Sequence, residues 1–316
     1  MVNSLSLPDE FADLRHLLAL DSPSGDEDVI ADWLASHIAE SVPDARLIRL
    51  GDSLVATRSS APSVAIFAHT DTTGFTVGYS QELIPIGSPA PIENDTFKSL
   101  LAGTVHTLIS GPGDSWSIVG NPSEVSPGDR LVYSAHHSTD GDILTGPYLD
   151  NRCGVWAALQ VLKREPDAAV AFTAGEEHSG GGATKCARFV CEELGVRAAI
   201  ISDITWHTDS ILCGKGPAIS LRDRYVPSQR FLRHILAIAG ASGIPFQREI
   251  ESAGGSDGAY IERSGYPIDW VFVGAPEKRP HTSTEQINLT DLRNMARLIA
   301  CLAHSIGDTS RTLPSA

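Results

Sequence analysis

The sequence predicts an α/β fold, in which a mostly parallel sheet is covered by helices on both faces and carries a small inserted all-β domain. Two observations lead to this prediction. Short, almost wholly apolar runs alternate along the chain with amphipathic segments, and one internal stretch differs in composition. Apolar runs of this length are typical of parallel strands buried on both faces, and their alternation with helices is typical of an α/β sheet.

The apolar runs predict four central strands, at residues 63–68, 168–172, 198–201 and 270–273. Apolar residues recur with helical spacing over residues 152–164, 182–194, 228–240 and 290–306, and each of these stretches predicts a helix. Two further helices are expected near the N-terminus. The second of them should begin at a capping box over residues 24–27, where a serine is followed three residues later by a glutamate.

The stretch from residue 72 to residue 147 differs from the rest of the chain. It contains 10 Gly and 7 Pro among its 76 residues and lacks helical periodicity. Short alternating segments at 104–109 and 129–133 indicate strands between turns. We therefore expect a β domain at 72–147 that is inserted into a catalytic domain formed by residues 1–71 and 148–316.

Composition and charge exclude several functions. The chain has 24 Lys and Arg against 39 Asp and Glu, a net charge of −15, which repels nucleic acid and anionic membranes. The apolar runs stay short of the roughly 18 residues that span a bilayer, and the first residues form neither a basic leader nor an apolar core. Five cysteines without a CxxC pair fit buried free thiols in a reducing compartment. We expect no nucleic-acid or membrane partner and a cytoplasmic location.

Side chains that can bind metal follow all four predicted strands. In chain order they are His69 and Asp71, Glu176 and Glu177, Asp203, and His281. Asp150 lies at the start of a predicted helix, where the insert rejoins the sheet. In open α/β sheets the ligand crevice borders the carboxyl ends of the strands, so we expect these side chains to meet.

The residue types indicate the chemistry. Two histidines and three carboxylates suit a pair of divalent ions, with zinc preferred and cobalt or manganese as alternatives. Two such ions share a bridging carboxylate, activate a shared water and polarise a scissile carbonyl. Asp71 can accept the second imidazole N–H of His69 and fix its tautomer. Of Glu176 and Glu177, one can bind metal while the other remains free as a general base.

These residues resemble those of the dinuclear metallo-aminopeptidases of the glutamyl-aminopeptidase and tetrahedral-aminopeptidase type, within the wider group of co-catalytic zinc exopeptidases. The resemblance extends over nearly the whole chain. It implies five metal ligands, which are His69, Asp150, Glu177, Asp203 and His281.

The resemblance also implies how the ligands are divided. One ion is bound by His69, Asp150 and Asp203. The other ion is bound by Asp150, Glu177 and His281, so that Asp150 bridges the pair. Glu176 matches the general base of the family, and Asp71 matches the carboxylate behind the first histidine.

The position of the insert separates two branches of this group. Here it lies between His69 and Asp150, as in the aminopeptidase branch, whereas aminoacylase-like members carry a lid between the last two ligands. The 78 residues from Asp203 to His281 are already used by predicted strands and helices. We therefore expect an aminopeptidase that removes N-terminal residues from short peptides. An N-acyl-amino-acid deacylase or small amidohydrolase with the same site, and a catalytically silent relative that serves binding or assembly, stay open as alternatives.

The resemblance further implies a homo-oligomer, a dimer or larger, in which the insert serves dimerisation or assembly. The insert is shorter than that of its relatives, and the residues that follow the expected ligands, including His178, Trp206 and His207, depart from the family pattern. These departures leave the substrate side chain open. Arg222, Arg224 and Arg230 could contact an acidic substrate residue, although such a run is more often a solvated face.

Overall fold

The computed structural model of the chain describes residues 7–110, 116–119 and 125–312. The strands within these residues are β1 (Arg46–Leu50), β2 (Ser53–Thr57), β3 (Val64–His69), β4 (Gly74–Val77), β5 (Leu83–Ile86), β6 (Thr96–Ser99), β7 (Val105–Ser110), β8 (Trp116–Val119), β9 (Arg130–Tyr133), β10 (Ser138–Asp140), β11 (Ile143–Thr145), β12 (Ala168–Thr173), β13 (Ala198–Trp206), β14 (Ala218–Ser220), β15 (Gln247–Glu249), β16 (Asp269–Lys278) and β17 (Gln286–Asn288). The helices are α1 (Ala12–Leu17), α2 (Asp28–Ser41), α3 (Leu149–Arg164), α4 (Gly181–Glu192), α5 (Gln229–Ala241), α6 (Asp257–Arg263) and α7 (Leu289–Thr312), and a 3-10 turn, Asp9–Phe11, precedes α1.

The larger sheet has a parallel centre with antiparallel margins. Its strand order is β1-β2-β12-β3-β13-β16-β17-β11-β10. The strands β12, β3, β13 and β16 run parallel to one another, whereas β2 and β17 pair with this centre in antiparallel orientation. The short strands β14 and β15 are attached beside β16. The predicted fold class is confirmed.

Helices cover both faces of this sheet, and successive strand residues point to opposite sides. In β3, Ile66 packs in the core under α1, α2, α3, α5 and α7, while its neighbour Phe67 packs in the core under α4 and α6. Because side chains alternate across a strand, a strand covered on both faces needs apolar residues at every position. This requirement explains why the central strands are visible in the sequence as continuous apolar runs.

A second, six-stranded sheet is formed by residues between β3 and α3. Its order is β5-β4-β9-β6-β7-β8, and all of its pairings are antiparallel. It has its own core, in which Phe75 and Phe97 meet edge to face at 5.4 Å between ring centroids and Tyr133 packs on Phe97. The strands β10 and β11 also lie within residues 72–147, yet they belong to the larger sheet, in which β11 pairs with β17 and β10 pairs with β11. The domain limits given above remain a prediction.

Several sequence predictions need correction. The residues 24–27 do not cap α2, because the Ser24 hydroxyl donates to Asp71 and no side chain caps that helix. Asp203 lies inside a strand and not in a loop, since β13 continues to Trp206 in register with β16. The short helix α6 was not predicted, and it begins at Ser256, whose hydroxyl accepts the Gly258 N–H.

The cysteines are free thiols, as expected, but only some are buried. Cys153, Cys186 and Cys191 are buried, whereas Cys213 and Cys301 are half-buried. In the part of the chain that the structure describes, no helix combines the length and apolar character needed to cross a membrane.

Candidate dinuclear metal centre

The carboxyl edge of the parallel strands brings the predicted site residues together. His69 ends β3, Asp203 lies near the end of β13, and Glu177 and His281 lie in the loops after β12 and β16. Asp150 lies at the start of α3, where the backbone departs from helical geometry and a cis peptide bond leads to the next residue. All five predicted ligands line one cavity of about 420 Å³.

Asp150 lies between the two histidines. Its Oδ1 is 3.0 Å from Nε2 of His69, and its Oδ2 is 3.3 Å from Nε2 of His281. Each carboxylate oxygen therefore faces a different imidazole nitrogen. A carboxylate that divides its oxygens between two nitrogen ligands in this way is arranged to bridge two ions.

The remaining two carboxylates lie one on each side of Asp150. Asp203 Oδ1 is 3.5 Å from Nε2 of His69, and Glu177 Oε1 is 3.4 Å from Nε2 of His281. Ligand atoms of His69, Asp150 and Glu177 all lie within 4.8 Å of one another. The five residues thus form two overlapping groups of one imidazole and two carboxylates, and each group could hold a divalent cation.

The second nitrogen of each imidazole faces an acceptor. The Nδ1 of His281 is 2.9 Å from the carbonyl oxygen of Ser88, which lies in the loop between β5 and β6. The Nδ1 of His69 is 3.5 Å from Asp71 Oδ1 but forms no hydrogen bond with a described residue, so the role of Asp71 in fixing this ring stays a prediction. With Nδ1 protonated, both Nε2 lone pairs point into the cluster, which is the tautomer that metal-binding histidines need.

Asp71 also fixes the loop that carries the two glutamates. Its Oδ1 accepts the backbone N–H of Glu176 at 2.9 Å, and its Oδ2 accepts that of Glu177 at 3.0 Å. The Ser24 hydroxyl donates to the same carboxylate at 2.5 Å. Because Asp71 is fully buried, these bonds are shielded from water, and the carboxylate holds both glutamates in place.

Two buried charged residues support Asp150 and the β3 loop. Glu285 Oε2 accepts the backbone N–H of Leu149 at 2.6 Å and that of Asp150 at 3.3 Å, and so it caps the N-terminus of α3. Arg152, which is fully buried, donates to the Thr70 carbonyl at 2.6 Å. Sequence analysis missed both residues, and only the position of Arg152 two residues after Asp150 could have drawn attention to it.

The charges of the cluster depend strongly on one another. Burial raises the pKa of Asp150, but hydrogen bonds with His281 and His69 outweigh it and bring the pKa below its usual range. Burial raises the pKa of Glu177 to about 8, and the nearby charge of Asp150 adds to this. Burial likewise raises the pKa of Asp203. Carboxylates crowded in this way favour a bound cation, so the donor set fits metal ions.

Glu176 lies beside the ligands without pairing with either histidine among the described contacts. Its side chain lines the cavity, and its backbone carbonyl accepts the Tyr260 hydroxyl at 3.3 Å. Burial raises the pKa of Glu176 well above its usual range, with the charges of Glu177 and Asp203 acting in the same direction. A carboxyl group with a raised pKa in a cleft is suited to proton transfer.

The other polar residues singled out in the sequence have different positions. Trp206 and Arg224 line the cavity, whereas His207, Arg222 and Arg230 are not among the residues that line it. The ring of His178, next to Glu177, accepts the backbone N–H of Gly87 at 3.1 Å.

Comparison with solved structures identifies the fold. A TET aminopeptidase from a marine-sediment archaeon of the Thaumarchaeota matches with a TM-score of 0.83 at 19% identity, over 95% of this chain and 100% of that one. The TET1 peptidase of Pyrococcus horikoshii, which can assemble into a tetrahedron or a large octahedral shell, matches with a TM-score of 0.76 at 21% identity, over 93% and 99% of the two chains. The chain therefore has the fold of the TET aminopeptidases.

The sequence profile of the M42 glutamyl aminopeptidase family matches residues 122–298, which is more than half of the chain. A protein of Acetivibrio thermocellus named "Putative aminopeptidase" is 24% identical over 329 residues, covering 92% of this chain and 97% of that protein. The chain belongs to the M42 family of aminopeptidases. The resemblance inferred from the sequence motifs is confirmed.

Proposed function

We propose that the chain is a dinuclear metallo-aminopeptidase, which removes the N-terminal residue of short peptides by hydrolysis. The observation that carries this proposal is the position of Asp150, whose two oxygens face His69 and His281 at 3.0 and 3.3 Å. A single ion would not require a carboxylate shared between two histidines. The division of the ligands into two overlapping groups supports the same conclusion.

In this proposal one ion is held by His69, Asp150 and Asp203, and the other by Asp150, Glu177 and His281. Zinc suits this set of nitrogen and oxygen donors, and cobalt and manganese are the alternatives. When bound, a pair of such ions lowers the pKa of a shared water and polarises the carbonyl of the scissile bond.

Glu176 then acts as the general base. Its carboxylate takes a proton from the attacking water and passes it to the nitrogen of the leaving amine, which departs as the amide bond breaks. The backbone contacts from Asp71 and Tyr260 to Glu176 keep this side chain beside the ligands. Asp71 serves as a positioning residue, because its contacts reach the substrate only through Glu176, Glu177 and His69.

The segment between Asp203 and His281 supports peptide cleavage over deacylation. Its residues form the elements β14, α5, β15, α6 and β16, all of which pack on the larger sheet or beside it. No additional lid domain is formed by residues 204–280, all of which the structure describes. A lid at that position is the feature of the aminoacylase-like branch.

A homo-oligomer forms part of the proposal. Several large apolar side chains are exposed on the segment between β3 and α3, including Tyr79 (93% exposed) and Leu101 (76% exposed). A continuous patch of such side chains would be typical of a surface that is covered by another chain. We assign to this segment the role of subunit contact, while its limits at 72 and 147 and the cytoplasmic location stay predictions.

A substrate panel tests the proposed function. The purified protein is supplied with zinc, cobalt or manganese and assayed on aminoacyl anilides with a free amine beside the matching N-acetyl amino acids. We expect hydrolysis of the free-amine substrates only. Cleavage of the acylated substrates alone would show that the chain is a deacylase that uses the same site. Binding of fewer than two ions, without cleavage of either set, would indicate a catalytically silent relative.

A further inference from the structure

The cavity continues beyond the metal ligands along a wall that the proposed mechanism does not use. Among the described residues that line it, this wall contributes three carboxylates, Asp223, Glu249 and Glu251, which we call the acidic wall. Asp223 and Glu249 are each only 6% exposed. The cationic side chain that lines the same part of the cavity is Arg224, which is exposed to solvent.

Strand register places Glu249 at the base of this wall. Ser220 of β14 is paired with Glu249 of β15 on one side and with Phe272 of β16 on the other. All three residues line the cavity. The base of the wall therefore combines a buried carboxylate with a hydroxyl group and an aromatic ring.

Thr205 links Glu249 to the strand that carries the proposed ligand Asp203. The Thr205 hydroxyl donates to Glu249 Oε1, and Thr205 lies two residues beyond Asp203 on β13. Residues two apart on a strand point to the same face and lie about 7 Å apart. Thr205, which holds the Glu249 carboxylate, thus lies about 7 Å beyond the proposed ligand Asp203, on the same side of the sheet.

This separation suits a long cationic side chain. A lysine ammonium lies five bonds of about 1.5 Å each from its Cα, on a flexible apolar stem. A substrate residue whose carbonyl lies at the metal centre can therefore extend its side chain along Phe272 toward Glu249. Arginine has a similar reach and can form two hydrogen bonds with one carboxylate.

The charges along the wall also favour a cation. Burial raises the pKa of Glu249 and the pKa of Asp223. The hydrogen-bond donors to these carboxylates among the described contacts are neutral, namely the Thr205 hydroxyl for Glu249 and the Tyr225 N–H and Ser256 hydroxyl for Asp223, and the charge of Arg222 also acts on Asp223. At the rim, backbone N–H groups, with Ala253 first, lower the pKa of Glu251 and keep it ionised. A cationic side chain would meet carboxylates of opposite charge along this wall, whereas an acidic one would meet like charges.

We propose that the acidic wall is the subsite for the side chain of the N-terminal substrate residue, and that it selects lysine and arginine through Glu249 and Asp223. This inference rests on the proposed function, since it assumes that a peptide carbonyl is hydrolysed at the metal centre. It assigns a basic substrate class to a chain whose family is named for glutamyl substrates.

Kinetics on a matched panel test the inference. The zinc-loaded protein is assayed on lysyl, arginyl, leucyl and glutamyl anilides, and kcat/KM is compared between the wild-type chain and Glu249→Gln. We expect kcat/KM for lysyl to exceed that for leucyl by about tenfold or more, and the glutamyl substrate to be the poorest. In Glu249→Gln the lysyl-to-leucyl ratio should fall by about tenfold. The variant Glu193→Gln, at an exposed position after α4, is the control and should leave the ratio unchanged.

Product inhibition provides a second measurement that needs no variant. Free L-lysine should inhibit the wild-type enzyme at a concentration about tenfold lower than L-norleucine, which has a similar stem without the charge. Equal inhibition by the two amino acids would contradict the inference.

The outcomes separate this inference from the proposed function. Hydrolysis that favours leucyl or glutamyl substrates would overturn the acidic subsite and leave the aminopeptidase intact. An equal loss on lysyl and leucyl substrates in Glu249→Gln would mean that Glu249 binds the α-amine or supports the fold, and this too would overturn the inference. No hydrolysis of any free-amine substrate would instead count against the proposed function itself.

Discussion

Ser88 and His281 are 193 positions apart in the chain, yet the carbonyl oxygen of Ser88 lies 2.9 Å from Nδ1 of His281. The contact connects the loop after β5 of the six-stranded sheet to a proposed metal ligand of the larger sheet. The His281 carbonyl is held by the same segment, since it accepts the Ala90 N–H at 2.9 Å and the Tyr133 hydroxyl at 3.0 Å. His281 has a φ of +61°, a conformation that needs such support in a non-glycine residue.

Removal of the Tyr133 hydroxyl should therefore weaken one metal site more than the other. In Tyr133→Phe the ring keeps its packing on Phe97, but His281 loses a hydrogen bond that orients it. We expect the dissociation constant of one of the two ions to rise by about tenfold, as measured by calorimetric titration of the metal-free protein with zinc. Tyr79→Phe, at a 93% exposed position, is the control. Equal weakening of both ions would contradict a role confined to His281.

Glu176→Gln should separate metal binding from catalysis. Glutamine preserves the shape of the side chain but cannot accept a proton, so we expect two bound ions and a kcat lower by about 10²–10⁴-fold. Metal analysis and steady-state kinetics on one preparation give both values. Glu193→Gln is the matched control, and turnover of Glu176→Gln at the wild-type rate would reject the general-base role.

Asp71→Asn should reduce both stability and activity. The buried carboxylate accepts the backbone N–H groups of Glu176 and Glu177, and an amide in its place turns an NH₂ group toward one of these donors. We expect the free energy of unfolding to fall by about 1–3 kcal/mol and kcat/KM to fall with it. Chemical denaturation and kinetics test this prediction. Asp209→Asn, at an exposed position two residues after His207, should change neither quantity.

Glu27 should make stability depend on pH. Its side chain is buried, and burial, with the charges of Asp71 and Asp52, raises its pKa to about 7 against an ordinary value of 4.5. Between these values the folded chain holds a proton that the unfolded chain has released. The contribution of Glu27 to the free energy of unfolding therefore falls as pH rises from about 4.5 to about 7 and stays low above that range.

The variant Glu27→Gln removes this titration. We expect it to be more stable than the wild-type chain by about 2–3 kcal/mol at pH 8 and equally stable near pH 4, as measured by urea denaturation at both pH values. Glu40→Gln, at an exposed position of the adjacent helix α2, is the control. A difference of the same size at both pH values would show that the effect is not a titration of Glu27.

Local patterns in the sequence were sufficient to predict the fold class and the types of ligand. The central strands are covered on both faces, so neighbouring residues such as Ile66 and Phe67 must both be apolar. Such a strand can therefore be recognised as an apolar run in the sequence, before its partner strands are known. Because the carboxyl ends of parallel strands meet at one edge, His69 and His281 could be assigned to one site in advance. The capping box failed for the opposite reason, since Ser24 satisfies a distant partner, Asp71, and not its own helix.

The sequence by itself therefore determined the fold class and the family, and it predicted the residue types of the cluster, because these depend on local periodicity and on residue type. Only the tertiary structure decided which groups hold the ligands and which residues line the rest of the cavity. Ser88 and Tyr133 reach the cluster from the six-stranded sheet, and Glu285 reaches it from the loop before β17. Glu249 reaches the cavity through the pairing of β14 with β15. Contacts of this kind depend on how distant parts of the chain fold together. The local periodicity and composition of the residues that make them therefore do not reveal them.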